Sequence, residues 1–512
     1  MPPGRVAATR AASRPGPYSV RSMWDPNPDQ EAAAALGDAL RSAGYSTETI
    51  EELLGDDGPS ADLAESVVLE RRLPAAPIAT VLRLFLLERP VAADDAVAAL
   101  GRDGARAVLT LGLATEDGAR LVPRSRIVPT EGLLLAFDGF SRGEDDPEGW
   151  VSSFSPTAYW LAALTPRRRV ERALDVGTGN GAHALLAAEH ADHVIATDVN
   201  PRALAFTEIS AAMNGIANVE TRLGSLFDPV AGERFDLITC NAPYVVSPVR
   251  RWQYRDGGLP GDQLSEQLVR AAPDHLTEDG HASVLVSWLA ESEDDPDVRL
   301  HGWLAGNGCD AWVLGLSGAD PLDHAAGWND HLADDPAAMG EALDEWAAYF
   351  DALDAGWITE GAVLMRRRGG GRNIVRADAV DEEELEFAGD QIERVFTALA
   401  LVAESGAAAI LDAELLLADE VRFDQELDRR GDVQETRILL DEGTCPELEL
   451  PLETAELLIA LDGSTTLDRA IERTARRLDL SKREASQLRH DALATVRELF
   501  ELGFFELARV HA

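Results

Sequence analysis

Between Arg172 and Cys240 the chain alternates short apolar runs with helix-forming stretches: RALDVGT, GAHALLAAEHA, HVIATDV, PRALAFTEISAAMNG, VETRLGS and FDLITC. Such alternation demands right-handed crossovers, and the expected fold is α/β: a doubly wound, mostly parallel sheet with helices on both faces. In sheets of this kind ligands bind beyond the carboxyl ends of the strands, so the turns that follow each run become the places to look for chemistry. Residues 262–275 read as a further helix, HASVLVSW as another central strand and GAVLMRRR as the closing strand.

Two of those turns are unusual. LDVGTGNGA, residues 174–182, leaves a strand and opens a helix, and its glycines permit a tight turn with close backbone approach to a ligand. Gly177, Gly179 and Ala182 satisfy the dinucleotide pattern GxGxxA, and Asp198 follows at the distance of a ribose-binding acid, so an NAD-dependent dehydrogenase has to be weighed. Asp175 points elsewhere: it sits inside the strand where a dinucleotide fold prefers an apolar residue, and a carboxylate there suits an ammonium group. The second turn is NAPY, residues 241–244, which closes the strand FDLITC. An ammonium and a ribose without a pyrophosphate describe S-adenosylmethionine.

With LDVGTGNG, ATDVNP, GSLF and NAPY in this order, the span from about Phe154 to Trp288 resembles a class I S-adenosylmethionine-dependent methyltransferase with a Rossmann-like domain. It is most similar to the small-domain N-methyltransferases, which include release-factor glutamine N5-methyltransferases and ribosomal RNA guanine N2-methyltransferases and usually carry (N/D)PPY or (N/D)PPF. The resemblance implies that Asp175 and the backbone of Gly177, Thr178, Gly179 and Gly181 hold the methionine end. It likewise gives both ribose hydroxyls to Asp198, with Val199 beside it, and the adenine to Ser225 and Leu226, Ser225 standing where an Asp is common. Asn241 completes the cofactor-binding set, and SPTAYWLA, residues 155–162, occupies the place of a proline-bearing segment near the cofactor. The whole chain, with YRDGGLPGD after NAPY, also resembles actinobacterial multi-domain methyltransferases without an assigned substrate.

The chemistry of NAPY follows from its atoms. An amide or aryl amine delocalises its lone pair and is a poor nucleophile. The Asn241 side-chain carbonyl and the Ala242 backbone carbonyl are placed to accept its two N–H groups, aim the lone pair at a methyl donor and stabilise the charge that appears on nitrogen. Pro243 fixes the turn and biases Ala242 to extended geometry, while Tyr244 is available to stack on a planar acceptor. Ala242 departs from the usual proline, which keeps the carbonyl but loosens the turn. Asn241, Ala242, Pro243 and Tyr244 are thus the expected catalytic residues.

Around this core the expected organisation is a disordered tail at 1–24, a helical N-terminal domain at 25–130, a methyltransferase domain at 131–375 carrying a Trp-rich insertion at 289–357, and a C-terminal domain at 376–512. The N-terminal segment from PIATVLRLF reads as three short helices and a hairpin around Glu116 to Gly118, a winged-helix-like order that serves either docking or capping. The C-terminal region repeats that order in LLIALDGSTTLDRAIERTARRLDLSKREASQLRHDALATVRELFELGFFE and shows no enzyme motif. Trp303, Trp312, Trp328, Trp346 and Trp357 mark the insertion as a lid or extra helices.

Lys+Arg of 46 against Asp+Glu of 90 gives a formal charge of -44, with Lys482 the only lysine. Such acidity repels polyanions over most of the surface and disfavours RNA as substrate. No apolar run is long enough to span a bilayer, and three scattered cysteines suggest neither disulfides nor a zinc cluster, so a cytoplasmic protein without membrane or metal partners is expected. His183 reads as solvated, and the acidic run Asp381 to Glu386 as a solvated face. Trp252, Tyr254, Arg255 and Asp256 read as a substrate rim or an ordinary loop, and Arg366, Arg367, Arg368 and Arg372 as a phosphate contact or a solvated hairpin. The leading expectation is an N-methyltransferase acting on protein glutamine. An RNA base, a small molecule and a non-catalytic cofactor sensor are the alternatives.

Overall fold

The structure is a computed structural model that describes residues 25–55, 63–140, 149–249, 255–369, 373–431 and 433–510. The tail at 1–24, Trp252, Tyr254 and Arg372 lie outside them. The chain divides into two compact units, Met1–Ser141 with Asn200–Asn214, and Arg142–Val199 with Gly215–Ala512.

In the first unit, helices Gln30–Ser42, Thr47–Leu54 and Pro77–Phe85 precede a long helical stretch, Ala93–Thr110, that Gly101 breaks with φ 73°. The chain then forms the hairpin Ala114–Asp117 and Arg120–Pro123, to which Val91–Ala92 adds a third strand. A second hairpin pairs Ser125–Thr130 with Leu133–Asp138 in unbroken register, so the boundary expected at 130 falls inside a paired hairpin. Asp138 makes a buried ion pair with Arg202, and the Asn214 amide bridges Leu134 N and O at 3.0 and 2.9 Å, which ties helix Pro201–Met213 to this unit.

The second unit is built on one sheet of eight strands: β1 Val170–Val176, β2 Ala191–Asp198, β3 Val219–Leu223, β4 Phe235–Cys240, β5 Leu276–Ala290, β6 Cys309–Ala319, β7 Trp357–Arg367 and β8 Val375–Ala379. Their spatial order is β8-β6-β7-β5-β4-β1-β2-β3. The strands from β5 through β3 are parallel, and β7 alone runs antiparallel to its neighbours β5 and β6. This is the doubly wound, mostly parallel α/β fold expected from the alternation. One face packs Leu174, Val176, Ile238, Val284, Val286 and Met365 into a continuous core. Each such side chain contributes roughly 1.5–3 kcal/mol. The other face carries Leu285, Trp312, Ala362 and Leu364.

Helices α1 Pro156–Ala163, α2 Ala182–Ala188, α3 Gln263–Ala271, α4 Val298–Leu304, α5 Pro321–Trp328, α6 Pro336–Ala352 and α7 Gly389–Ser405 complete the elements used below. They correct two expectations. The segment 289–357 is not one insertion, because CDAWVLGLSGA forms β6, a strand of the main sheet, and Trp303, Trp312 and Trp346 are core residues. The extra material is α5 and α6, between β6 and β7. The boundary expected at 376 precedes a helix that is part of the sheet's packing: Ile392, Val395 and Phe396 of α7 pack on Leu285, Trp312 and Leu364. Beyond α7 lie strands Val421–Leu427 and Val433–Leu440, paired as a hairpin, before the helices that the sequence suggested.

Candidate active site

The strand order reverses between β1 and β4: β2 and β3 extend one way from β1, and β5 the other way from β4. That reversal leaves a crevice at the carboxyl ends, the place where such sheets bind ligands. The two unusual turns both end there, since Val176 pairs with Cys240 and the chain passes directly into Gly177 on one side and Asn241 on the other.

Gly177 takes φ 71°, and a Cβ on it would lie 3.5 Å from Ala242 Cα, so the two turns are in direct contact. The amides of Gly177 and Thr178 donate to the Thr197 carbonyl at 2.9 and 3.0 Å, which fastens the glycine turn to β2. Gly179 N–H donates to Asp198 Oδ2 at 3.0 Å, and Asn180 reaches back to the Ser152 carbonyl at 3.1 Å. Asp198 in turn accepts from Gly224 N–H through its carbonyl at 2.9 Å, and Thr197 Oγ1 donates to the Leu226 carbonyl at 3.4 Å. Gly177, Thr178, Gly179, Gly181, Asp198, Ser225 and Leu226 therefore belong to one cluster of strand tips. Val199 leaves 37% of its surface exposed beside Asp198, apolar area open to a planar ring.

Asp175 is 1% exposed. Its Oδ1 accepts from Thr239 Oγ1 at 2.9 Å, and the Thr178 hydroxyl and Ala184 amide face the carboxylate, but Oδ2 is buried without a well-formed hydrogen bond among the described residues. Burial raises the carboxyl to about 6, against the pull of the threonine hydroxyls. An enclosed acid with an unused oxygen is the deficit that a bound ammonium group fills. The donor set thus fits a ligand with an ammonium at Asp175, vicinal hydroxyls at Asp198 and a flat ring near Val199 and Leu226.

Just past β4, Asn241 is partly exposed and Ala242 buried. Among the described residues nothing hydrogen-bonds the Asn241 side chain or the Ala242 carbonyl, so both acceptors are unspent. The turn is clamped from outside. A Cβ on Gly257 would stand 2.5 Å from the Pro243 carbonyl oxygen and 2.6 Å from Leu264 Cδ2, so only glycine lets the YRDGGLPGD loop lie on the motif. Ser287 of β5 donates to the Tyr244 carbonyl at 2.9 Å. Tyr244 corrects the stacking expectation: its ring is 7% exposed and packs with Leu161, Leu285 and Trp312 instead of standing open.

Other sequence candidates fall into place. His183 is buried rather than solvated. Its ring lies 5.9 Å from that of Phe154, and burial lowers it to about 4. Among the described residues no group of His, Cys, Asp and Glu could hold a metal ion. Arg255 and Asp256 pair at 2.7 Å, and the Arg255 guanidinium lies over the Trp328 ring rather than in an open rim. Arg366 pairs with Asp279 at 3.1 Å and Arg368 with Asp310 at 2.8 Å, while Arg367 donates to the Pro273 carbonyl. Sequence reasoning passed over Thr239, Gly257, Ser287 and Glu360. The first three are common residue types without a motif; Glu360, a lone acid in WITEGAVLM, carried a usable signal.

Residues 168–264 match the family model described as a methyltransferase domain. Residues 42–124 match a domain of unknown function, DUF7059. Among curated relatives, the ribosomal protein uL3 glutamine methyltransferase of Bradyrhizobium diazoefficiens is 33% identical over 166 residues, covering 30% of this chain and 52% of the relative. The release factor glutamine methyltransferases of Geobacter sulfurreducens and Cereibacter sphaeroides are 35% and 41% identical over 120 and 121 residues, each match covering 21% of this chain and 42% and 43% of the relatives. The chain spans about half the length of the curated relatives it matches. A solved methyltransferase from Pyrococcus furiosus is similar at 17% identity with a TM-score of 0.27, over 42% of this chain and 83% of that one. The fold assignment rests on the strand order itself.

Proposed function

We propose that this protein is an S-adenosylmethionine-dependent N-methyltransferase whose acceptor is the side-chain amide of a glutamine in a protein. The observation that carries the reading is the direct contact of Gly177 with Ala242 at the point where the sheet order reverses, which brings a cofactor turn and a pair of unspent acceptors together. The relatives named as glutamine methyltransferases support the same acceptor.

When bound, the cofactor supplies an electrophilic methyl on a sulfonium. The protein does the rest by placement. Asp175 holds the ammonium and Asp198 the ribose, while Asn241 and Ala242 accept the two N–H groups of the acceptor at about 2.7–3.2 Å and so direct its lone pair. Pro243, clamped by Gly257, keeps those acceptors still. The formal charge of -44 disfavours an RNA acceptor. We place the protein in the cytoplasm, in keeping with its three free cysteines; no described helix is long and apolar enough to cross a membrane.

The test is incubation with methyl-labelled S-adenosylmethionine and a cell lysate, followed by hydrolysis and analysis of the labelled product. Label in protein as N5-methylglutamine is expected. Label confined to RNA or small molecules overturns the acceptor, and preferential binding of NAD in a parallel titration overturns the cofactor.

A further inference from the structure

The sheet order gives the site two sides. The tips of β1, β2 and β3 carry the glycine turn and Asp198, whereas β5 and β7 lie beyond NAPY. On that second side Glu360 of β7 stands in register with Ser287, the residue that holds the Tyr244 carbonyl. It shares a face of β7 with Ile358, Ala362 and Leu364, so its carboxylate enters the layer that contains Tyr244 and Val246. Only 13% of the side chain is exposed. Helix α5 covers it: Trp328 Nε1 donates to Glu360 Oε1 at 3.3 Å, and His324 Nδ1 lies 3.9 Å from the same oxygen. His324 Nε2 lies 3.2 Å from the Val246 carbonyl. No described residue hydrogen-bonds Oε2.

The groups facing this carboxylate do not share its range. Burial lowers His324 to about 4, which leaves it neutral. Burial and the charge of Glu360 raise Tyr244, which stays protonated. Asp256 is paired with Arg255, whose guanidinium sits 5.5 Å from the Trp328 ring. Glu382 is largely exposed and adds negative charge opposite Glu360. Burial first, and then Glu382, raise Glu360 to about 7 against the pull of the indole N–H.

Methyl transfer forms an N–C bond and breaks an S–C bond, with the sulfur keeping the electron pair. The nitrogen enters with two hydrogens, carries a positive charge after transfer and has to shed one proton. Asn241 and Ala242 offer neutral dipoles that accept hydrogen bonds but cannot take a proton at neutral pH. We propose that the Glu360 carboxylate faces the charge developing on nitrogen, takes the released proton and passes it to solvent through its exposed edge. This rests on the N-methyltransferase reading and adds to it a catalytic residue contributed by β7 and walled in by α5.

The experiment measures kcat and cofactor affinity against pH for the full chain and Glu360→Gln, with release factor and ribosomal protein uL3 as acceptors. The substitution keeps the volume and an oxygen for Trp328. Wild type is expected to gain about tenfold per pH unit up to an apparent value near 7 and then level off. Glu360→Gln is expected to lose that limb and about 10²-fold in kcat at its plateau, with cofactor affinity unchanged. A Glu360→Gln enzyme that keeps the limb, or stays within twofold of wild type, overturns the proposal while the methyltransferase reading stands. If wild type methylates neither protein, the same comparison is made on the protein acceptor that the lysate labelling identifies, and a lysate in which no protein is labelled overturns both readings. As an activity-independent check, the Trp328 indole N–H resonance should titrate near pH 7 in wild type and not in Glu360→Gln; a flat wild-type trace also refutes the assignment.

Discussion

Cofactor affinity should depend on pH through Asp175. In the free protein the buried carboxyl sits near 6. An ammonium docked on it favours the ionised form and pulls the value down, so affinity is full above about 6 and lost as pH falls through it. One pH unit below that value only about a tenth of the carboxyl is ionised, which weakens binding about 11-fold, or ~1.4 kcal/mol. Isothermal titration of S-adenosylhomocysteine at about pH 8 and pH 5 reads this directly, because that ligand keeps the ammonium and lacks the reactive methyl. Asp175→Asn should bind weakly and without the pH dependence. The same residue has an opposite effect on the free protein. Holding the carboxyl at about 6 instead of its ordinary 3.8 costs ~3 kcal/mol once it ionises, and with a folded value above the unfolded one that stability is present in acid and lost as pH rises through about 6. Asp175→Asn should therefore raise the melting temperature of the unliganded protein at pH 8. Flat wild-type affinity between pH 8 and 5, with no stabilisation by the substitution, refutes the assignment of Asp175 to an ammonium.

Two further perturbations follow from the same contacts. Thr239→Val removes the hydroxyl that donates to Asp175 Oδ1 at 2.9 Å; the midpoint of the affinity profile should move to higher pH, and an unchanged midpoint would dismiss the contact. Gly257→Ala forces a methyl to within 2.5 Å of the Pro243 carbonyl, so the turn has to shift. Methyl transfer should fall at least tenfold while cofactor affinity holds, since Gly257 touches NAPY and not the glycine turn; a variant with wild-type kcat would show that the clamp does not matter.

The sheet and the turns at its strand tips were legible because each depends on local sequence: apolar runs of strand length, glycines at turns, an acid inside a strand. The rest depends on residues brought together by pairing. CDAWVLGLSGA carries strand-forming residues, but its acidic, Trp-rich surroundings hid β6 until β7 was seen beside it. In VRFDQEL and VQETRILL polar and apolar residues mix, as in strands with one face in water, and the helical pattern that follows them drew attention away. His183 reads as solvated because nothing in its own segment announces its burial beside Phe154. Glu360 had only its chemistry to mark it, and the partners that give it meaning, Trp328 and His324, lie more than thirty positions away.

The central claim is that Asn241 and Ala242 pin an acceptor nitrogen beside the cofactor. Methyl transfer to the protein acceptor that the lysate labelling identifies, measured for wild type and Asn241→Ala with cofactor affinity determined in parallel, tests it most directly. The account predicts that cofactor affinity is largely kept while kcat drops about 10²–10³-fold, the cost of losing one preorganised group that stabilises developing charge. Equal turnover in the two proteins would contradict it.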